Sequence, residues 1–80
     1  MSTSVVKSPH ALATQVRFDA HAMHVLLLDG REISAPLTWF PTLGRASDKQ
    51  RNHWRLIGHG VGIHWPDLDE DISLAALLES

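Results

Sequence analysis

The dipeptide Asp29-Gly30, set between two largely apolar runs, constrains this chain more than any other feature. A type I′ turn needs positive φ at both central positions, and Asp-Gly meets that need better than most pairs. The run before it is Met23-His24-Val25-Leu26-Leu27-Leu28, and the run after it is Arg31-Glu32-Ile33-Ser34-Ala35. Upstream, Gln15-Val16-Arg17-Phe18 alternates polar and apolar with the period of a half-buried strand. The three segments read as a three-stranded antiparallel meander, with Asp19 to His21 breaking the first two strands.

Pro36 ends the third strand. Thr38 reads as the N-cap of a short helical stretch through Trp39, Phe40 and Leu43, with Pro41 in its first turn and Gly44 at its end. Ser47 with Gln50 three residues on makes a capping box, which predicts a second short helix over Asp48 to His53. Trp54-Arg55-Leu56-Ile57 reads as strand, Gly58-His59-Gly60 as the turn of a β-hairpin, and Val61 to Trp65 as its return strand. Pro66 stops that strand, Asp67 to Asp71 forms an acidic loop, and Ser73 caps a short C-terminal helix, Leu74 to Glu79. Leu74, Leu77 and Leu78 lie on its inner face. The fold class is α+β, in the order βββ-α-ββ-α, with no internal repeat.

Eighty residues suffice for one domain and not for two. Residues 1–12 are polar, small and aperiodic and read as a flexible N-terminal tail; residues 13–80 form the domain. The chain has no cysteine, so disulfides and thiolate metal sites are excluded, and stability must come from packing, helped by self-association as a homodimer. Seven basic and nine acidic residues give a net charge of −2, which is no footprint for nucleic acid. Five of the nine acidic residues fall between Asp67 and Glu79, while Arg45 to Arg55 is basic, and such opposed poles suit a protein partner. Apolar runs are too short to span a membrane and Met1 to His10 has no apolar signal core, so a cytoplasmic location is expected.

Four groups of residues are candidates for chemistry. The six histidines include His59 and His64, which flank a turn and could approach one another with Asp67 or Asp69, but no pair has helical ligand spacing. The structural reading has His64 packed beside Trp65 with one ring nitrogen hydrogen-bonded, and His59 in solvent. The carboxylates Asp67, Asp69, Glu70 and Asp71 do not follow a calcium-loop pattern and suit capping of the following helix. Gly58-His59-Gly60-Val61-Gly62 lacks the helix and lysine of a phosphate loop, and its glycines suit a tight turn. No serine or threonine lies in a nucleophile elbow or beside a histidine with a carboxylate behind it. That leaves the aromatics. Trp39, Phe40, Trp54 and Trp65 must mostly fill the core, yet Trp beside Pro36, Pro41 and Pro66 also suits a rigid surface patch.

Pro36-Leu37-Thr38-Trp39-Phe40-Pro41-Thr42-Leu43 resembles the P-L-x-W-F-P-x-L block of the bacterial domain-of-unknown-function family 2442. Ala46-Ser47, with Arg51 and Trp54 behind, is similar to its following helix. Gly60-Val61-Gly62-Ile63-His64-Trp65-Pro66-Asp67-Leu68-Asp69-Glu70-Asp71-Ile72-Ser73 resembles its closing block. The resemblance spans about residues 14 to 79 and implies a small bacterial α+β protein. It also implies antitoxin-like pairing, as one partner in a two-gene cassette. Some relatives continue into a helix-turn-helix domain, for which this chain, ending at Ser80, leaves no room. The resemblance carries over no catalytic residue.

The expected function is thus a non-enzymatic, antitoxin-like protein-interaction module without cofactor or metal. It would bind a small toxin-like partner, or inhibit a larger assembly, through Trp39, Phe40, Trp65, Asp67, Asp69, Glu70 and Asp71. Two alternatives are a nucleic-acid-associated regulator using Arg45, Lys49, Arg51 and Arg55, and a metal-dependent enzyme built on His59, His64 and the acidic loop.

Overall fold

The structure, a computed structural model, describes residues 11–79. Strands β1 (Ala13–Phe18), β2 (Ala22–Leu27) and β3 (Glu32–Pro36) form one antiparallel sheet in the order β1-β2-β3. A 3-10 turn over Leu37–Trp39 leads into two five-residue helices, α1 (Pro41–Arg45) and α2 (Asp48–Asn52). Strands β4 (Arg55–Ile57), β5 (Gly62–Trp65) and β6 (Glu70–Ser73) make a second antiparallel sheet in the order β4-β5-β6, and α3 (Leu74–Glu79) follows. The architecture is α+β, with one more strand than the expected hairpin: the acidic segment turns at Asp67 to Asp69 and its second half enters the sheet as β6. Four residues of alternating burial there were too few to stand out as a strand among carboxylates.

The strands alternate as a half-buried sheet requires. Met23, Val25 and Leu27 of β2 are buried, while Ala22, His24 and Leu26 sit on the opposite face. In the second sheet Ile63, Trp65 and Ile72 point inward. Together with Ala13, Val16, Ala35, Leu37, Leu43, Leu74 and Leu77 they form a single apolar cluster. Trp65 is wholly buried, with its indole N–H donating to the Arg51 carbonyl at 2.9 Å. It belongs to this core and cannot stand at a surface patch. Leu78 corrects a second expectation, being exposed while Leu74 and Leu77 face inward.

Local chemistry explains where the elements start and stop. The capping box is present in full: Gln50 N–H donates to Ser47 Oγ and Ser47 N–H to Gln50 Oε1. Ser73 Oγ likewise accepts from the Ala76 N–H at the start of α3. Thr38 does not cap a helix. Pro41 disfavours the helical region for the residue before it, and Phe40 lies at φ −130°, ψ 78°, so the stretch splits into a 3-10 turn and a helix beginning at Pro41. That helix runs one residue past Gly44.

The Asp29-Gly30 hairpin forms, but with a three-residue loop in place of the two-residue type I′ turn. Gly30 N–H donates to Leu27 O and Leu27 N–H to Arg31 O, and only Gly30 has positive φ, at 96°. This is the pattern of a tight turn followed by a left-handed glycine. The Asp29 carboxylate stabilises it by accepting from both the backbone and the side chain of Arg31. The tail expected over 1–12 falls mainly outside the described residues. Ala11 and Leu12 are half-buried, and Leu12 O accepts from Leu28 N–H, so structure begins before Ala13.

The sheets meet closely at one backbone crossing. A Cβ on Gly60, at φ 108°, would lie 2.4 Å from the Ala13 carbonyl oxygen. Gly30 has positive φ but nothing within 4 Å of such a carbon. The two positions therefore separate backbone conformation from close approach. Gly30→Ala is expected to cost about 1–2 kcal/mol, the left-handed penalty alone. Gly60→Ala should cost clearly more, at least about 3 kcal/mol, because a backbone must also shift. Urea unfolding of both variants measures the difference.

Candidate functional site

One apolar groove of the surface lies where the 3-10 turn passes β6 and α3. Trp39 is 52% exposed, and its ring meets Phe40 edge-on, with centroids 6.5 Å apart at 65°. Together with Ile72, Ala76 and Leu77 these rings line a groove of about 300 Å³. Pro36 at one end and Pro41 at the other restrict the backbone that carries Trp39. Of the seven residues expected at a partner surface, this groove brings together Trp39 and Phe40. Ile72, Ala76 and Leu77 were missed because two of them are core-facing positions in sequence terms. The signal for the pair Ile72 and Leu77 was their shared apolar register across Ser73.

The carboxylates have separate local roles. Asp67 accepts from His53 Nδ1 at 2.9 Å, and Asp71 is paired with His64 Nδ1. Asp69 occupies positive φ, at 51°, in the turn before β6. Glu70 is half-buried opposite Trp65 and shares the inward face of β6 with Ile72. Asp67, Asp69 and Asp71 remain exposed. His59 is exposed at φ 63°, and His64 lies on the outer face of β5. No group of three or more His, Asp or Glu side chains converges as a cation site among the described residues. Arg51, counted with Arg45, Lys49 and Arg55 in a basic set, is turned inward: it donates to Leu43 O and Asp48 and stacks 5.9 Å from the Phe18 ring centroid.

The outer face of the first sheet carries a relay that sequence reasoning did not assemble. His24 bonds Ser34 Oγ through Nδ1 at 2.6 Å and Asp19 Oδ2 through Nε2 at 2.8 Å. The expectation that no serine lies beside a histidine backed by a carboxylate is therefore corrected. Strand pairing explains it, since His24 sits opposite Ser34 in the β2–β3 register. The order of groups is that of nucleophile, base and orienting carboxylate. The adjoining cavity, lined by Gln15, Arg17, His24, Leu26 and Glu32, holds only about 70 Å³. Sites that enclose a small molecule usually measure at least about 300 Å³. The geometry is that of a polar row tying the turn between β1 and β2 to the side chains of β2 and β3.

Asp19 is the electrostatic anchor of that row. The hydrogen bond from His24, reinforced by the backbone N–H groups of His21 and Ala22, holds its carboxyl well below the usual carboxylate range. A depressed folded pKa adds stability that is present at neutral pH and fades as pH falls below the unfolded value of about 3.9. Asp19→Asn should therefore destabilise the domain at pH 7 and narrow its stability gap to the parent in strong acid. Urea midpoints measured across that pH range check the sign.

The comparisons with known proteins agree with this architecture and add no activity. A crystal structure of a protein of unknown function from Rhodospirillum rubrum, solved at 2.75 Å, is 32% identical and superposes with a TM-score of 0.75. The match covers 88% of this chain and 87% of that one. No curated protein matches the chain. A family model described as "Protein of unknown function (DUF2442)" matches residues 13–80, which takes in both sheets, the groove and the His24 row, and the chain belongs to that family.

Proposed function

We propose that the domain is a non-enzymatic, antitoxin-like protein-binding module that holds a small partner protein in the Trp39 groove. The observation that carries this reading is the exposure of Trp39 beside Phe40, over a groove floored by Ile72, Ala76 and Leu77. A tryptophan held half in water by a restrained backbone loses little entropy on binding and contributes a large apolar area. Such residues mark the energetic centres of interfaces. Glu70 shares its face of β6 with the groove residue Ile72, which favours a partner with a basic residue beside an apolar anchor.

The reading takes the domain to act in the cytoplasm without metal or cofactor. No helix among the described residues is long and apolar enough to cross a membrane. Trp65, buried in the core, drops out of the contact surface; of the expected carboxylates, Glu70 is the one on the face of β6 that carries Ile72, while Asp67 and Asp71 are held by His53 and His64.

The test uses the product of the neighbouring gene as the partner. Binding should be measured by calorimetry for the parent, Trp39→Ala, and Leu28→Ala as a control at the exposed hairpin tip. Loss of a central tryptophan should weaken binding by at least about tenfold, while the control stays near the parent value. An unchanged affinity with folded Trp39→Ala would remove the groove from the interface.

A further inference from the structure

A second cavity, of about 400 Å³, opens between the turn after β1, the 3-10 turn, α1 and α2. Ala20, Leu37, Pro41 and Gly44 give it an apolar lining, and Thr38, Arg45 and Arg51 supply its polar groups. Pockets for small molecules measure about 300–1,000 Å³ and combine an apolar lining with a few polar groups in this way. None of these residues lines the Trp39 groove, so the cavity does not rest on the function proposed there.

The polar groups are short of acceptors. Arg45, exposed in the last turn of α1, has no ion pair or hydrogen bond among the described residues. The Thr38 hydroxyl, which caps no helix, has no partner among them either. Arg51 is held more closely, with only 17% of its side chain exposed. Its Nη atoms donate to Leu43 O and Asp48, and its guanidinium lies over Phe18. Its buried Nε–H, however, has no acceptor among the described residues. Asp48 is 91% exposed, so water screens its charge and it offsets the Arg51 cation only in part.

The end of a helix that carries free carbonyls ordinarily repels an anion. Here Leu43 O already accepts from both Arg51 Nη1 and Ala46 N–H, and α1 is only five residues long. Two arginines against one aspartate leave a single positive charge at the cavity.

We propose that this cavity binds a small organic monocarboxylate. The carboxylate meets the Arg45 guanidinium, whose planar fork matches two oxygens, with Thr38 as a further donor and the Arg51 charge beside it. The apolar body of the ligand lies against Leu37 and Pro41. A phosphate dianion suits the cavity less well. The single net charge would leave it half neutralised, and the apolar lining would not replace its hydration.

The experiment adds benzoate to the full chain while the arginine Nε–H signals are followed by NMR, with benzamide and inorganic phosphate in parallel. Benzoate should saturate with a dissociation constant of about 1 mM or below, and both the Arg45 and Arg51 signals should move. Benzamide keeps the shape without the charge, and phosphate keeps charge without the apolar body. Each should bind at least about tenfold more weakly. Arg45→Gln should weaken benzoate by a similar factor, while Lys49→Gln, outside the cavity, leaves it unchanged. Neither side chain has a hydrogen bond or ion pair to lose among the described residues, so both variants keep the fold. Shifts that stay linear to about 50 mM benzoate overturn the proposal. So does equal binding of benzamide or phosphate, or an Arg45→Gln affinity that matches that of the parent or of Lys49→Gln.

Discussion

The burial of Trp65 is the constraint on which the rest of the structure depends. An indole taken wholly out of water needs an acceptor for its single N–H, and a missing one costs about 1–3 kcal/mol. Here the acceptor is the Arg51 carbonyl at the end of α2. The Arg51 side chain then reaches Leu43 O in α1 and Asp48 in its own helix, and its guanidinium lies over Phe18 of β1. Phe18 closes the circuit by meeting Trp65 edge-on, with centroids 6.4 Å apart at 64°. One ring thereby connects both sheets and both central helices. Helix α2 has no buried residue, so its attachment relies on this circuit and on its capping box.

That dependence suits a chain of this length. A domain of eighty residues buries only about 60–65% of its unfolded surface, and without cysteine it has no covalent staple. Large side chains that touch several elements at once recover part of the deficit. The close crossing of Gly60 and Ala13 serves the same end, because it lets the two sheets share one apolar cluster. The tryptophans divide accordingly: Trp65 is inside, Trp54 packs half-buried against the cluster, and Trp39 is left at the surface.

Much of this was legible in the sequence where local chemistry decides structure. The first meander, the capping box at Ser47 and Gln50, the Ser73 cap and the stop at Pro66 all follow from residue type and spacing. What stayed hidden depends on register or on faces. Reading Asp29-Gly30 as a two-residue loop places His24 opposite Ala35, while the three-residue loop places it opposite Ser34. A slip of one residue moves every side chain to another neighbour. The His24 and Ser34 contact was invisible for that reason. Trp65 was misplaced because proline and carboxylates follow it in sequence, although period-2 alternation from Ile63 already aimed it at the core.

The same register logic explains why side chains in catalytic order need not be a reaction centre. Antiparallel strands alternate bonded and non-bonded pairs, and side chains of the non-bonded pairs lie closer together. His24 with Ser34 is such a pair, as the flanking bonds of Leu27 and Leu37 require. His64 with Asp71 is another, since Leu74 N–H donates to Val61 O and fixes the parity of β5 and β6. Each histidine sits on the outer face of a middle strand, and each has an arginine opposite on the first strand, Arg17 and Arg55. Two sheets of unrelated sequence thus carry the same row of arginine, histidine and an oxygen-bearing side chain. A half-buried imidazole in a narrow pair needs a partner across the ladder, and each sheet supplies one. The repetition points to a shared packing requirement, and leaves the exposed ring of Trp39 as the feature that packing does not explain.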